Sequence, residues 1–374
     1  MTSSANRNSI DVVQVTESKE TARSGRRRII GFRFWKMFLA AGAWILAIVA
    51  LLNLLVDPFG MYGTGLFPSM VSNRYLAKLT LFRAADPPPS ALILGSSRVG
   101  LIDPDLVTEI TGERCFSWGV PVARAETYLA IMKIALDEVD APIDLVIVGA
   151  EPEVFHPTSE VHPMARFVPE FSGYGDPLPW WSITIEKVSR LFTMEQTQAS
   201  IGVLKASIRG ERVGDWIEWG PDGFPVGMDP ETTPRVIEED FESRLKRGIA
   251  TYPDQRFEIS SFTHLSPERM GYWEEFLQIC EENDVRLYVF MPPPHPDLLD
   301  RLYELGAERI FEETGDYLHR TVIKAGGTFR DFTQLESFGG DPDLFSDEVH
   351  LRKPNAEMML RALLSDYPQD ESLE

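Results

Sequence analysis

The chain of 374 residues is long enough for one large domain or two modest ones, each with a hydrophobic core. Hydrophobic residues make up 44% and charged residues 25%, as in ordinary globular proteins, which excludes wholesale disorder. The 57 Asp and Glu outnumber the 36 Lys and Arg, and the net charge of −21 argues against nucleic acid as a partner, because phosphates are also negative.

The N-terminus differs in charge from the rest of the chain. Its first 36 residues hold eight basic and three acidic side chains, a net charge of +5, which leaves −26 for the remainder. Residues 1–33 are rich in Ser, Thr, Asn and charge. This composition predicts a disordered cytoplasmic tail.

A transmembrane helix is predicted for residues 34–56. The run from Met37 to Val56 is uncharged, and twenty helical residues extend about 30 Å, the thickness of a bilayer's hydrocarbon core. A cleaved signal peptide, which normally has a shorter apolar run, and a buried core helix are the alternatives. Basic residues precede the run, and none lies between Val56 and Arg74. The positive-inside rule therefore predicts a cytoplasmic N-terminus and a periplasmic or extracytoplasmic C-terminal domain.

Export bears on the two cysteines, Cys115 and Cys280. An oxidising compartment would permit one disulfide bond. The sequence favours two separately buried thiols, since free cysteine is among the most buried residue types. Neither cysteine has a C-x-x-C spacing, and no histidine pair has the spacing of a zinc helix, so we predict no metal and no cofactor.

After a connector at residues 57–88, an α/β domain is predicted for residues 89–365, followed by a tail at 366–374. Five short apolar runs predict buried strands, and helix-period stretches lie between them. The predicted strands are 91–94, 114–117, 145–148, 285–290 and 328–332, and the predicted helices are 125–137, 268–282, 296–305 and 354–364. This alternation predicts a three-layer sandwich around a mostly parallel five-stranded sheet, with functional residues at the carboxyl ends of the strands.

Residues 155–265 interrupt this alternation with scattered Pro, Gly and Trp. We predict an irregular insertion over the rim of the sheet, a lid or a groove wall, and not an independent domain. Its tryptophans either stack on sugar rings or supply the insertion's own small core. They are Trp180, Trp181, Trp216 and Trp219.

The candidate catalytic residues lie near the two ends of the domain. Ser97, in Gly-Ser-Ser-Arg after the first strand, stands where a nucleophile can be exposed beside backbone amides, although a serine there also serves as a helix cap. Asp347 and His350 have a D-x-x-H spacing, which lets the carboxylate bind one imidazole nitrogen and leaves the other to take a proton. Together these residues predict a Ser-His-Asp triad.

These motifs in an α/β sandwich resemble the SGNH or GDSL hydrolase superfamily, in particular its membrane-anchored, exported branch associated with polysaccharide O-acetylation. The resemblance covers residues 89–365 apart from the insertion. It implies that Ser97 is the nucleophile, that His350 is the base and that Asp347 orients the base. It also implies that the amides of Ser97 and Gly119, the latter in Phe-Ser-Trp-Gly, bind the oxyanion.

One family block departs from the pattern. The family reads G-x-N-D where residues 149–152 read Gly-Ala-Glu-Pro. Losing the Asn donor costs about 3 to 4 kcal/mol of transition-state stabilisation, and an ionised Glu151 would repel an oxyanion. Glu151 could turn away, stay protonated in a dry pocket, or pair with Arg98. Arg98, Glu151 and His295 are candidate substrate contacts, with a solvated loop histidine as the alternative for His295.

The resemblance implies a serine esterase or O-acyltransferase that acts on acyl esters, especially acetyl esters, of a cell-envelope or secreted polysaccharide. Its partners would be the lipid bilayer, the carbohydrate and a membrane-bound acyl-donor protein. A catalytically degenerate scaffold or glycan-binding component is one alternative, motivated by Glu151. A lipid or thioester hydrolase with the same triad is another, although the acidic surface argues against anionic lipid headgroups.

Overall fold

The computed structural model describes residues 34–64, 66–69, 73–139, 141–159, 168–172, 180–211, 218–226 and 240–368. The chain divides into two compact units, one of Met1–Met70 and Ile185–Val213 and the other of Val71–Thr184 and Gly214–Glu374. Within the described residues the α-helices are α1 (Phe34–Val56), α2 (Arg74–Ala84), α3 (Pro104–Thr111), α4 (Ala125–Lys133), α5 (Pro169–Ser172), α6 (Trp180–Arg190), α7 (Met194–Arg209), α8 (Phe241–Gln255), α9 (Pro267–Glu282), α10 (Pro296–Glu304), α11 (Glu308–Lys324) and α12 (Lys353–Leu363). The strands are β1 (Ala91–Gly95), β2 (Cys115–Gly119), β3 (Leu145–Gly149), β4 (Glu218–Trp219), β5 (Pro225–Val226), β6 (Arg286–Met291) and β7 (Thr328–Asp331).

The main sheet has five strands in the order β2-β1-β3-β6-β7, and every neighbouring pair is parallel. The α/β class, the five predicted strands and their parallel pairing are confirmed, with boundaries within two residues of those predicted. A small antiparallel pair, β4 with β5, lies outside this sheet. The apolar runs were readable because strands buried on both faces carry no polar alternation.

Helices cover both faces of the sheet. Alternate side chains of each strand point to opposite faces, so Leu92 and Leu94 lie in one core cluster, and Ala91 and Ile93 lie in another. The first cluster includes residues of α2, α4, α9, α10 and α11, and the second includes residues of α3 and α12. Both faces of β1, β2 and β3 are therefore buried, whereas the edge strand β7 is partly exposed.

The predicted helices are present as α4, α9, α10 and α12. The helical stretch at 125–137 changes to a π-helical turn, Ile134–Glu138, after α4 ends. Helices α3 and α11 were not among those predicted. In α3 the end signals are nevertheless readable, because Asp103 caps the first turn and Gly112 ends the helix with a left-handed conformation, φ 76°.

The predicted irregular character of residues 155–265 is wrong for much of their length. Helices α6, α7 and α8 have 11, 16 and 15 residues. Scattered Pro, Gly and Trp hid their end signals, such as the Thr193 cap before α7 and the Asp240 cap before α8. Ile185–Val213 belongs to the unit that contains α1, and the rest of the segment belongs to the unit of the sheet, so the segment is divided between the two units; its predicted place over the rim of the sheet stays a prediction.

Helix α1 has 23 residues and is long and apolar enough to cross a membrane. It lies in the first unit, together with Ile185–Val213. In the second unit, Cys115 and Cys280 are buried free thiols, as the sequence favoured.

A buried lysine, Lys78, packs beneath β2. Its Nζ donates a hydrogen bond to the Ser117 carbonyl at 2.8 Å and lies 4.6 Å from the centroid of the Trp219 ring. Burial lowers the pKa of Lys78 to about 7; the nearby charge of Arg74 adds to this effect, and Asp222 opposes it. In the folded state Lys78 therefore loses its proton above about pH 7, whereas in the unfolded chain it keeps the proton up to the ordinary lysine pKa of about 10.4.

This buried charge predicts a pH-dependent stability. Because the unfolded state binds more protons between about pH 7 and pH 10, the free energy of unfolding rises with pH in that window. Lys78→Met removes the titrating group. We therefore expect the free energy of unfolding of this variant, relative to that of the wild type, to fall by about 1 kcal/mol per pH unit from about pH 7 to 9. Urea unfolding of the full chain in detergent, repeated across this pH range, gives the free energy of unfolding of the wild type and of the variant. If the two values changed with pH in parallel, Lys78 would not titrate in this range.

Candidate active site

The site lies where the order of the strands reverses. From β1 the chain passes to β2 on one side and then to β3 on the other, and open α/β sheets bind their ligands beyond the carboxyl ends of the strands at such a point. Ser97 begins a 3-10 turn, Ser97–Val99, directly after β1. Glu151 lies at the corresponding end of β3, before the turn Pro152–Phe155.

Two glycines allow these turns to pack closely. A Cβ added at Gly95 would lie 2.6 Å from a methyl carbon of Val99, and one at Gly149 would lie 2.4 Å from it. Both distances are well inside van der Waals contact. The ends of β1 and β3 therefore close around Val99, and Ser97 is held two residues away from that contact.

The structure brings Ser97, His350 and Asp347 together. The Ser97 hydroxyl oxygen lies 2.8 Å from Nε2 of His350, across 253 positions of the chain. Nδ1 of the same ring lies 2.7 Å from Oδ2 and 2.8 Å from Oδ1 of Asp347. An ionised carboxylate can only accept, so Nδ1 donates to Asp347, and Nε2 is left to accept the proton of Ser97.

The loop that carries Asp347 and His350 is held by its own backbone. Oδ1 of Asp347 accepts the N–H groups of Val349 at 3.0 Å and His350 at 2.9 Å. A backbone hydrogen bond from Ser346 to the His350 carbonyl, 2.8 Å, closes the loop. These contacts fix the carboxylate against the ring before any substrate binds.

The same contacts keep Asp347 ionised. Burial would raise the pKa of Asp347, but the hydrogen bond and charge of His350, together with the two amides, lower it to about 2. Because the folded pKa is below the unfolded value of about 3.9, the carboxylate stabilises the fold above that pH. This contribution is lost as the pH falls towards 2.

Arg98, next to the nucleophile, is buried in a polar cluster. Its Nη2 donates to Oε1 of Glu153 at 2.8 Å and also to the Tyr252 hydroxyl, which in turn donates to the same Glu153 oxygen at 2.5 Å. Burial lowers the pKa of Arg98, but the charge of Glu153 and the other neighbours raise it above its ordinary value. The predicted substrate contact through Arg98 stays a prediction, and its side chain is only 5% exposed.

Glu153 and Tyr252 were not found from the sequence. Glu153 had a signal, since a second acid stands two residues after Glu151 at the end of a strand. Tyr252 had none, because it reaches Arg98 from α8, 154 positions away.

Glu151 is buried, and it does not form the predicted ion pair with Arg98. The carboxylate that pairs with Arg98 is that of Glu153. Within the described part of the chain, Oε2 of Glu151 has no hydrogen-bond partner. Burial raises the pKa of Glu151; Arg98 lowers it, and Glu153 raises it further. One guanidinium thus faces two buried carboxyl groups, and for Glu151 burial outweighs both Arg98 and a hydrogen bond with Ser96, so the neutral form of this carboxyl is favoured.

The other candidates have visible structural roles. Gly119 packs against the turn after Ser97, and a Cβ there would lie 3.1 Å from the Gly100 Cα. Successive N–H groups of a strand point to opposite sides. The backbone N–H of Ser117 donates to the Asp222 carbonyl on the side away from β1, and the N–H of Gly119 points to that same side. The oxyanion role of Gly119 stays a prediction.

His295 is buried and is not a solvated loop histidine. Its side chain caps α10, and its backbone N–H donates to the Glu348 carbonyl at 2.9 Å.

Of the four tryptophans proposed for sugar stacking, the structure describes the side chains of two. Trp216 and the side chain of Trp180 lie outside the described residues. Trp219 packs over Lys78, and Trp181 is exposed on α6. Among the described residues, no group of three or more His, Cys, Asp and Glu side chains could hold a metal ion.

A hydroxyl, an imidazole and a carboxylate in this order can transfer a proton and expose a nucleophile at the end of a strand. His350 and Asp347 have side chains about one-third exposed, 34% and 31%, so a substrate can reach the relay. In comparisons with known proteins, neither a protein-family model nor a curated protein matches the chain.

Proposed function

We propose that this chain is a membrane-anchored serine esterase or O-acyltransferase whose SGNH-like domain acts on acyl esters, chiefly acetyl esters, of a cell-envelope or secreted polysaccharide. The observation that carries the proposal is the relay of Ser97, His350 and Asp347, with Ser97 just beyond the carboxyl end of β1 where the strand order reverses. The order of the parallel sheet and the family motifs support the superfamily. The carbohydrate ester as substrate, and a membrane-bound acyl donor as partner, rest on the resemblance.

The relay defines the chemical steps. Oγ of Ser97 attacks the ester carbonyl carbon while Nε2 of His350 takes its proton, and Asp347 stabilises the resulting imidazolium. The tetrahedral intermediate collapses when His350 returns that proton to the leaving alcohol oxygen, which breaks the C–O bond and leaves an acyl-serine. Water or a second hydroxyl then attacks this ester by the same route. Water gives hydrolysis, and a sugar hydroxyl gives transfer.

The N–H groups that begin a 3-10 turn have no partner inside the turn, so the Ser97 amide can bind the oxyanion, as the family pattern also implies for Gly119. The charge distribution supports the proposed anchor. Basic residues precede α1 and the acidic part follows it, so the N-terminus would lie in the cytoplasm and the catalytic domain outside the cell membrane.

A fluorophosphonate probe tests the proposal directly. The probe forms a stable phosphonyl ester only with an activated serine, so we expect the full chain to be labelled on the peptide that contains Ser97. Ser97→Ala is the matched control and should abolish labelling. Equal labelling of both proteins, or labelling at another serine, would overturn the assignment.

A degenerate, glycan-binding domain is the second candidate, and Glu151 is the observation that favours it. An ionised Glu151 beside the oxyanion would slow the reaction, whereas a neutral one could act as a donor. The burial of this carboxyl, with Oε2 lacking a hydrogen-bond partner among the described residues, supports the neutral form and therefore an active site. The two candidates differ in how activity depends on pH.

We expect Glu151→Gln to retain activity and to extend it to higher pH. Glutamine copies the neutral carboxyl in shape, so both proteins should turn over an aryl acetate alike below the raised pKa of Glu151. Above that pKa the wild type ionises, and the ratio of variant to wild-type kcat/KM should grow about tenfold per pH unit.

Glu153→Gln is the complementary variant: it removes the charge that raises the pKa of Glu151 and leaves Arg98 without its partner, so we expect lower stability and a decline in activity that begins at lower pH than in the wild type. Parallel pH profiles for Glu151→Gln and wild type would show that Glu151 does not titrate in the reaction. Inactivity of the wild type at every pH would favour the degenerate candidate.

A further inference from the structure

The first unit contains an exposed apolar surface on two consecutive helices. We name residues 185–211, which hold most of α6 and all of α7, the helical hairpin. Along α6 and the turn after it, Ile185, Val188 and Phe192 are 60%, 50% and 48% exposed. Spacings of three and four residues place these side chains on one helical face.

Helix α7 repeats this arrangement. Met194, Ile201 and Ile208 are 72%, 41% and 84% exposed and follow each other at intervals of seven residues, which is also one face of a helix. Large apolar side chains scattered singly on a surface are ordinary, but a row of them on each of two consecutive helices is not. These two rows indicate a surface that an apolar partner or phase covers.

The other side of the hairpin is attached to α1. Asn53, which is fully buried, donates to the Leu191 carbonyl at 2.7 Å and to the Thr197 hydroxyl at 2.9 Å, and it accepts from the Ser200 hydroxyl at 2.9 Å. Val56 and Val203 pack together beside these hydrogen bonds. The attachment is polar, specific and located on one stretch of α1.

The position of Asn53 sets the depth of the hairpin. It lies three residues before Val56, where α1 ends, which is about 5 Å along the helix axis. When α1 spans a bilayer, Asn53 therefore lies near the boundary between acyl chains and headgroups. The hairpin hydrogen-bonded to it lies at the same depth, where its exposed apolar rows meet lipid.

We propose that the helical hairpin is an interfacial membrane-binding element whose apolar rows insert among the lipid acyl chains of the leaflet at the carboxyl end of α1. The inference rests on the proposed membrane anchor and is independent of the proposed catalysis. Two amphipathic helices held beside a transmembrane helix bury apolar area in the lipid in the way that interfacial helices do. They also restrict the tilt and rotation of the chain where it leaves the membrane.

Depth-dependent quenching tests the element in the full chain. Single reporter cysteines are placed at Val188 or Ile201 in a Cys115→Ala, Cys280→Ala background, labelled with bimane and reconstituted in phosphatidylcholine nanodiscs. Lipids brominated near the headgroup end of the acyl chains should lower bimane emission at both positions by at least about twofold, because interfacial helices insert only about 5 to 10 Å.

Ser207 gives a matched control for Ile201, since it is exposed and lies roughly 100° or more from Met194, Ile201 and Ile208 around the same helix. Bimane at Ser207 should respond little to bromine. Bimane at Ile45, in the middle of α1, should be quenched by bromines deep in the bilayer.

The outcomes separate the two proposals. Quenching at Ile45 without quenching at Val188 and Ile201 would overturn the interfacial hairpin and leave the anchor intact. Blue-shifted but unquenched bimane at the hairpin would identify a protein surface or a second copy as the occupant and would also overturn it. No quenching at Ile45 would remove the anchor and the hairpin together, while ester turnover reports the catalytic proposal separately.

Discussion

Ser97→Ala is expected to lower ester turnover about 10⁶-fold, to the background rate, because removing the nucleophile of a serine triad leaves only binding and oxyanion contacts. The Ser97 hydroxyl makes its hydrogen bond to His350 and is partly exposed, so alanine leaves no cavity in the core. The measurement is kcat/KM for an aryl acetate and for an acetylated polysaccharide, with urea unfolding to confirm an unchanged fold.

Ser346→Ala is the matched control. Ser346 lies on the loop of Asp347 and is also partly exposed, but its backbone N–H and not its hydroxyl holds that loop. We expect this variant to keep the wild-type rate. If Ser97→Ala and Ser346→Ala had equal rates, the relay would have no part in turnover.

Asp347→Asn is expected to lower kcat about 10⁴-fold while the fold is retained. The asparagine oxygen can still accept the amides of Val349 and His350, so the loop keeps its shape. The amide nitrogen, however, is a donor, and it favours the His350 tautomer whose Nε2 carries the hydrogen. That ring cannot accept the proton of Ser97, and no carboxylate stabilises the imidazolium.

A double variant makes this prediction sharper. Residues that act as one unit are not additive, so Ser97→Ala combined with Asp347→Asn should be no slower than Ser97→Ala alone. Asp343→Asn, at an exposed turn of the same segment, should leave kcat unchanged. Additive losses in the double variant would indicate that Asp347 acts apart from the relay.

The sheet was readable from the sequence because its information is local. The central strands are short apolar runs, as in Leu145–Gly149, because burial on both faces removes the polar alternation that other strands show; the exposed edge strand β7 is the exception. The helices of residues 185–255 were missed for the opposite reason. Their caps at Thr193 and Asp240 are local signals too, but tryptophan, proline and glycine around them resemble loop composition.

The relay was predictable in its parts. Gly-Ser-Ser after a strand and D-x-x-H before the last helix each have a local meaning, and a parallel sheet places the carboxyl ends of its strands at one edge. The distance of 2.8 Å between Ser97 and His350 is a property of the folded chain. Catalysis by this relay stays a prediction until turnover is measured.

The sequence by itself determined the apolar helix, the α/β alternation and the two motifs, because each depends on residues a few positions apart. Only the tertiary structure decided which buried polar groups pair: Arg98 binds Glu153 and Tyr252, and among the described residues Oε2 of Glu151 has no hydrogen-bond partner. It also decided that residues 185–213 join the unit of α1, through the hydrogen bonds of Asn53. A buried polar group must find a partner wherever packing puts one, and that place is set by contacts more than a hundred positions apart.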